Sequence, residues 1–200
     1  MAQHVVEQGD LYFAFRPRVG TPRVNSLRDV QRLYVVMGAH GRDELFRVFI
    51  VGRKHLPEPA GDRTWAFNTL TTHDPATLEE EMSGKDYVTK TRGKRHLPEA
   101  ELAGEGAYRI LVRDDGSTEL VYALEQPERM GSLQRELGIH HEGRLLIALR
   151  HPDLGGRGPA PEYPPTTHAC STCRVRRSSS SQRKANPSSS TPRTIAAKPR

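Results

Sequence analysis

Short apolar runs separated by turn-forming residues predict a strand-rich domain over roughly the first 150 positions. Aromatic and aliphatic side chains crowd residues 9–16, and unbroken apolar runs occupy residues 33–37 and 45–51. Runs of this length between Gly, Pro and Asp residues favour strands over helices. The turn-rich residues 38–43 predict a hairpin between the second and third runs. Its centre should be buried on both faces, because its apolar residues do not alternate with polar ones.

The second half of the domain carries similar signals. Asp114-Asp115-Gly116 lies between two apolar runs and is typical of a hairpin turn. Residues 87–96 are predicted to form one extended, polar segment. The remaining strands are predicted at residues 64–72, 107–112, 119–124 and 145–149.

Two segments are predicted to be short helices. Asp74 can cap the free amides of a helix that starts at Pro75, and this helix should end near Ser83-Gly84. Residues 132–137 form the second, which Gly138 stops. A Ser-Leu start at residue 26 suggests a helical turn as well.

About seven strands and two or three short helices therefore make up the predicted fold. They do not alternate regularly, which disfavours a doubly wound parallel sheet. We expect a single globular α+β domain over residues 1–155, with a mainly antiparallel sheet and helices on one side.

The composition changes abruptly after Gly155. Residues 156–200 are rich in Ser, Arg and Pro and include the runs Ser178–Ser181 and Ser188–Ser190. Such a segment buries too little apolar surface to offset the entropy of ordering its backbone, so we predict a disordered basic tail.

The tail also explains the charge of the chain, which is +6 overall with a pI near 9.6. Residues 157–200 hold nine Lys or Arg and one Glu, a net +8, which leaves −2 for residues 1–156. The high pI is thus a property of the tail and does not mark the folded part as a nucleic-acid binder.

Several classes of protein are not expected. No stretch approaches 18 consecutive apolar residues and the N-terminus lacks a basic, apolar leader, so we expect no membrane span and a cytoplasmic protein. Cys170 and Cys173, with His168, supply only three of the four ligands of a structural zinc site. No metal and no cofactor is predicted.

Six short segments of the chain carry a family resemblance: residues 9–19 (GDLYFAFRPRV), 29–34 (DVQRLY), 51–54 (VGRK), 89–93 (TKTRG), 104–108 (GEGAY) and 133–139 (LQRELGI). Through them, about residues 1–153 resemble a family of uncharacterised bacterial proteins. The resemblance implies no activity, cofactor or site residue.

The family continues with a folded, acidic and apolar C-terminus, from which this chain departs. Two explanations stay open: a native disordered tail, or a frameshift product. Ser188–Thr191 is the string that a Glu-Phe-Leu-Asp stretch in GC-rich codons gives when shifted by one base.

Two groups of cations are the candidate binding residues. Lys90, Arg92 and Lys94 alternate on the predicted extended segment and would project from one face, where an anionic ligand or an RNA backbone could lie. The structural alternative is a solvated edge strand that its charges protect from association. Arg53-Lys54-His55 follows a predicted buried strand, where pockets often form; the alternative is that these residues only end the strand.

No catalytic motif occurs in the sequence. We therefore expect a non-enzymatic cytoplasmic domain that binds a protein or a small ligand. The alternatives are nucleic-acid binding through Lys90, Arg92, Lys94 and the basic tail, and an enzyme with a dispersed site near Arg53–His55.

Overall fold

A computed structural model describes residues 3–41, 43–58, 62–91 and 93–148. The predictions on the tail lie outside these residues. The elements are β1 (Gln3–Pro17), β2 (Val30–Ala39), β3 (Leu45–Val51), β4 (Ala66–Thr72), α1 (Pro75–Met82), β5 (Lys85–Thr89), β6 (Gly93–Leu97), β7 (Glu101–Arg113), β8 (Thr118–Gln126), α2 (Ser132–Glu136) and β9 (Glu142–Ile147).

Seven strands form one antiparallel sheet in the order β4-β3-β2-β1-β7-β8-β9. The β2–β3 and β7–β8 pairs confirm the two predicted hairpins. The long strands β1 and β7 pair with each other and join the two halves of the sheet. The prediction of a mainly antiparallel, strand-rich fold with short helices is confirmed. Neither of the helices in the described part of the chain could span a membrane.

The sheet has two differently covered faces, because successive side chains of a strand point to opposite sides. One face carries Leu11 and Phe13 of β1, and residues of segment 18–29 and of α2 pack on it, including Leu27 and Leu133. We call it the α2 face. The opposite face, the α1 face, carries the buried residues Ala14, Tyr34, Val36 and Val48, on which Leu78 and Met82 pack.

The expectation that the helices share one side is therefore wrong. The middle of β2 is buried on both faces, with Tyr34 fully covered and Val35 nearly so. A strand that is apolar on both faces needs cover on both, and each short helix supplies part of one layer.

The prediction of one extended segment over residues 87–96 is also wrong. Strands β5 and β6 form a hairpin, in register from Lys85 opposite Leu97 to Thr89 opposite Gly93. Gly93 has φ of 66°, a left-handed conformation that glycine adopts without strain. The turn before it reverses the chain, so the two strands make a small sheet of their own.

One glycine in the centre of the sheet is required by close packing. A Cβ atom added to Gly106 would lie 2.1 Å from the carbonyl oxygen of Ala123. The β7–β8 pair approaches too closely there for any side chain, next to an irregularity in its register.

Candidate functional site

The consecutive residues Arg53, Lys54 and His55 diverge in space. Arg53 is 74% exposed, with its nearest carboxylate oxygen, on Asp62, 3.7 Å away. The imidazole of His55 lies against Gly138, where an added Cβ would come within 2.9 Å of it. The three side chains therefore do not line a common pocket.

Lys54 has a structural role in this segment. Its ammonium donates hydrogen bonds to the carbonyl oxygens of Leu27 at 3.2 Å and Val30 at 2.7 Å. Burial, together with the nearby charge of Arg18, lowers the pKa of Lys54. Its φ of 57° is unusual for a residue with a side chain, and the two carbonyl contacts hold it there.

The second cation group lies on the β5–β6 hairpin. Lys90 is exposed in the turn, Lys94 lies on β6, and Arg92 is outside the described residues. The premise that all three alternate on one strand is wrong, because the turn places Lys90 and Lys94 on either side of a chain reversal. Lys94 remains 75% exposed and lies 3.3 Å from Asp86.

Asp86 is the acid that this hairpin places among its cations. It accepts a hydrogen bond from His96 at 2.8 Å, and this bond, followed by that of Lys94, lowers the pKa of Asp86. A cleft of about 510 Å³ opens at the base of the hairpin. It is open to solvent and is lined by Gly84, His96, Pro98, Glu99 and Glu101.

The base of the hairpin is tied to the main sheet by Arg16 of β1, which is only 3% exposed. Its guanidinium donates hydrogen bonds to the carbonyl oxygens of Ser83, at 3.0 Å, and Pro98, the residues that flank the hairpin. It also reaches the Glu81 carbonyl at 2.8 Å, and its Nε donates to the Tyr34 hydroxyl at 3.0 Å. A cation at the end of α1 satisfies carbonyls that the helix leaves free.

A polar network on the α2 face joins three strands. Arg47 of β3 forms a bidentate ion pair with Glu7 of β1, at 2.6 and 2.9 Å, and Tyr108 of β7 donates its hydroxyl hydrogen to the same carboxylate at 2.7 Å. Burial alone would raise the pKa of Glu7, but the bonds from Arg47 and Tyr108 outweigh it and the pKa is lowered. Burial raises the pKa of Tyr108, so the phenol remains a donor. We therefore assign this network a structural role, in which it links β3, β1 and β7 through their side chains.

The sequence did not indicate one open surface of the sheet. On the α1 face, the half built by β7, β8 and β9 leaves Ala107, Arg109, Ala123 and Arg144 exposed and Val121 half-buried. The register places Val121 between Arg109 and Arg144, and Ala107 beside Ala123. We call these five residues the open trough. Its only sequence signal is the alternation of residues along β7. That alternation shows which residues share a face of the strand, but not what packs on that face.

A buried carboxylate holds one end of the open trough in place. Glu119 is 3% exposed, and its Oε1 lies 2.7 Å from Arg113 and its Oε2 3.6 Å from Arg144. Neighbouring Leu146, opposite Glu119 on β9, is 74% exposed. Arg109 has no hydrogen-bond or ion-pair partner within the described ranges.

The described residues bring no three metal-binding side chains together. Comparison of the chain with protein-family models, with curated proteins and with solved structures finds no match. The family resemblance of the sequence therefore stays a prediction, and every functional role must come from the geometry of this chain.

Proposed function

We propose that the protein is a binding domain whose open trough takes up an acidic, amphipathic helix of a protein partner. The observation that carries this proposal is the unequal cover of the α1 face. Helix α1 buries Val36 and Val48 on one half, while Ala107 and Ala123 on the other half are exposed. A second helix laid on that half would complete the layer that α1 begins.

The shape of the trough supports a helix as the occupant. Its floor along β8 consists of Val121 and Ala123, and Ala107 adds a second small side chain. Small residues let a helix backbone come close to the sheet. Arg109 on β7 and Arg144 on β9 are two strand spacings apart, about 10 Å, which is close to the diameter of a helix.

Arg109 and Arg144 make one end of the trough positive, whereas Asp10 and Glu142 lie opposite Ala107 and Ala123 at the other end, so the acidic flanks of the helix should lie over the arginines. Arg109 has no partner in the described part of the chain, and Arg144 has one ion pair, with Glu119 at 3.6 Å. Carboxylates on both sides of an apolar stripe would meet these two guanidinium groups. A small ligand has less support, because the cleft at the hairpin base is open and a flat trough encloses no small molecule.

A synthetic helix tests the proposal with the full chain. The probe is a fluorescein-labelled peptide of about 18 residues, five helical turns, with Leu and Ala on one stripe and Glu on both flanks. We expect anisotropy titration to show saturable binding, and the same peptide with Lys in place of Glu to bind far more weakly. The Arg109→Glu variant should weaken binding of the acidic peptide about tenfold, because an attraction becomes a repulsion.

The matched control is Lys94→Glu, which changes the net charge equally on an exposed side chain outside the trough. It should bind the acidic peptide severalfold more tightly than Arg109→Glu. Equal losses in the two variants would mean that only net charge matters and would overturn the proposal. Self-association of the chain that Arg109→Glu abolishes, seen by sedimentation velocity, would assign the trough to a second copy instead.

A further inference from the structure

The β5–β6 hairpin is a two-stranded ribbon with no hydrogen-bonded neighbour in the main sheet. Val88 and Lys94 face each other across it and are 79% and 75% exposed. Each of its two strands is five residues long. A ribbon of this kind is narrow enough to enter the groove of a duplex.

Positive charge concentrates toward the tip of this ribbon. At its base, the ammonium of Lys85 lies 3.9 Å from a carboxylate oxygen of Glu81. At its tip, Lys90 is exposed and has no partner among the residues that the structure describes. Lys94 shares Asp86 with His96, and that carboxylate is the one acid on the two strands.

The ribbon is also held in a fixed place. Arg16 is buried in the sheet and binds the carbonyls of Ser83 and Pro98, on the two chain segments that enter and leave the hairpin. The amide of Ala100 donates to the Met82 carbonyl at 2.8 Å, which closes the same base. An element that is already ordered loses less entropy when it binds.

We propose that the β5–β6 ribbon binds duplex DNA in the major groove. That groove is about 12 Å wide and admits a two-stranded ribbon. Lys90 and Lys94 contact backbone phosphates, which position the ribbon without reading sequence. Val88 lies on the same face as Lys94 and offers an apolar contact to base edges such as the thymine methyl group.

The experiment measures binding of the full chain to a labelled 20-base-pair duplex of mixed sequence at several salt concentrations, about 50 to 200 mM. The test variant is Lys90→Gln with Lys94→Gln. Each phosphate contact contributes about 0.9 to the slope of log affinity against log salt, so the slope should fall by about two and affinity severalfold. The matched control, Arg53→Gln with Arg129→Gln, removes the same charge from exposed side chains outside the ribbon and should keep the wild-type slope.

Three results would overturn the proposal. Equal slopes for the test variant and wild type would assign DNA binding, if present, to other basic residues. An equal slope loss in the matched control would show a net-charge effect. The third result would be that a single strand of the same sequence, or polyglutamate, binds as tightly as the duplex and that this binding also depends on Lys90 and Lys94. The ribbon would then bind polyanions without entering a groove.

Discussion

Replacing Arg16 by Met is the sharpest test of whether this residue holds the β5–β6 hairpin and the end of α1 to the main sheet. Met keeps much of the volume of the side chain but removes every donor. In the native protein the guanidinium donates hydrogen bonds to the carbonyls of Ser83, Pro98 and Glu81, to that of Met82 at 3.4 Å, and to the hydroxyl of Tyr34. The guanidinium carbon also lies 5.7 Å from the centre of the Tyr34 ring.

The magnitude follows from the acceptors that the change leaves behind. A buried acceptor without a partner costs about 1 to 3 kcal/mol. Ser83 and Glu81 lie near solvent, so water can replace part of their bonds, whereas the Tyr34 hydroxyl belongs to a fully buried residue. We therefore expect Arg16→Met to lower the free energy of unfolding by about 3 to 5 kcal/mol in total. Arg16→Lys should lie between this variant and wild type, because one ammonium cannot reach all five acceptors.

Urea unfolding followed by Trp65 fluorescence and far-UV circular dichroism measures these differences. The control is Arg53→Met, which removes an exposed guanidinium with one distant ion pair and should cost less than about 1 kcal/mol. If the free energy of unfolding of Arg16→Met lies within about 1 kcal/mol of the wild-type value, the five hydrogen bonds do not hold the hairpin and α1 to the main sheet, and the reasoning fails.

Two further predictions concern the sheet itself. The pKa of Glu7 is lower in the folded than in the unfolded chain, so its contribution to stability is present above the unfolded-state pKa and is lost as pH falls through the folded-state pKa. Melting temperature between about pH 6 and pH 3 should therefore fall more steeply for wild type than for Glu7→Gln, and parallel curves would contradict this. Gly106→Ala should cost about 2 to 3 kcal/mol in urea unfolding, since its Cβ would meet the Ala123 carbonyl; an unchanged midpoint would show that the strands separate without cost.

Local signals predicted much of the fold. Asp74 does cap α1, accepting a hydrogen bond from the amide of Ala76 at 3.1 Å, and Pro75 does open it. Gly138 does stop α2 with a φ of 71°. These features depend on residues a few positions apart, and so they are visible in the sequence.

The sequence also contained a turn signal, Gly93, which the prediction from the charge pattern disregarded. Gly93 suits a left-handed turn position, yet the alternation of Lys90, Arg92 and Lys94 suggested one continuous strand. Lys90 lies in the turn and Lys94 on β6, so the premise of one continuous strand was wrong, although both side chains are exposed.

Other features depend on residues far apart in the chain. Arg16 meets carbonyls 65 to 82 positions away, and a carbonyl has no signature in the sequence. The open trough depends on which half of a face α1 covers, and that follows from the β1–β7 pairing. Alternation along β7 predicts that Ala107 and Arg109 share a face, but not that this face lacks cover.

The β1–β7 pair also governs the order in which the chain can fold during synthesis. Gln3 pairs with Arg113 and Phe15 with Glu101, so the central ladder closes a loop of about a hundred residues. Strands β1 to β4 can pair locally as soon as they leave the ribosome, but the β7 side of β1 then remains an open edge. Until residue 113 has emerged, the nascent chain exposes a long, apolar strand edge, which makes this half-finished sheet the stage most prone to aggregation.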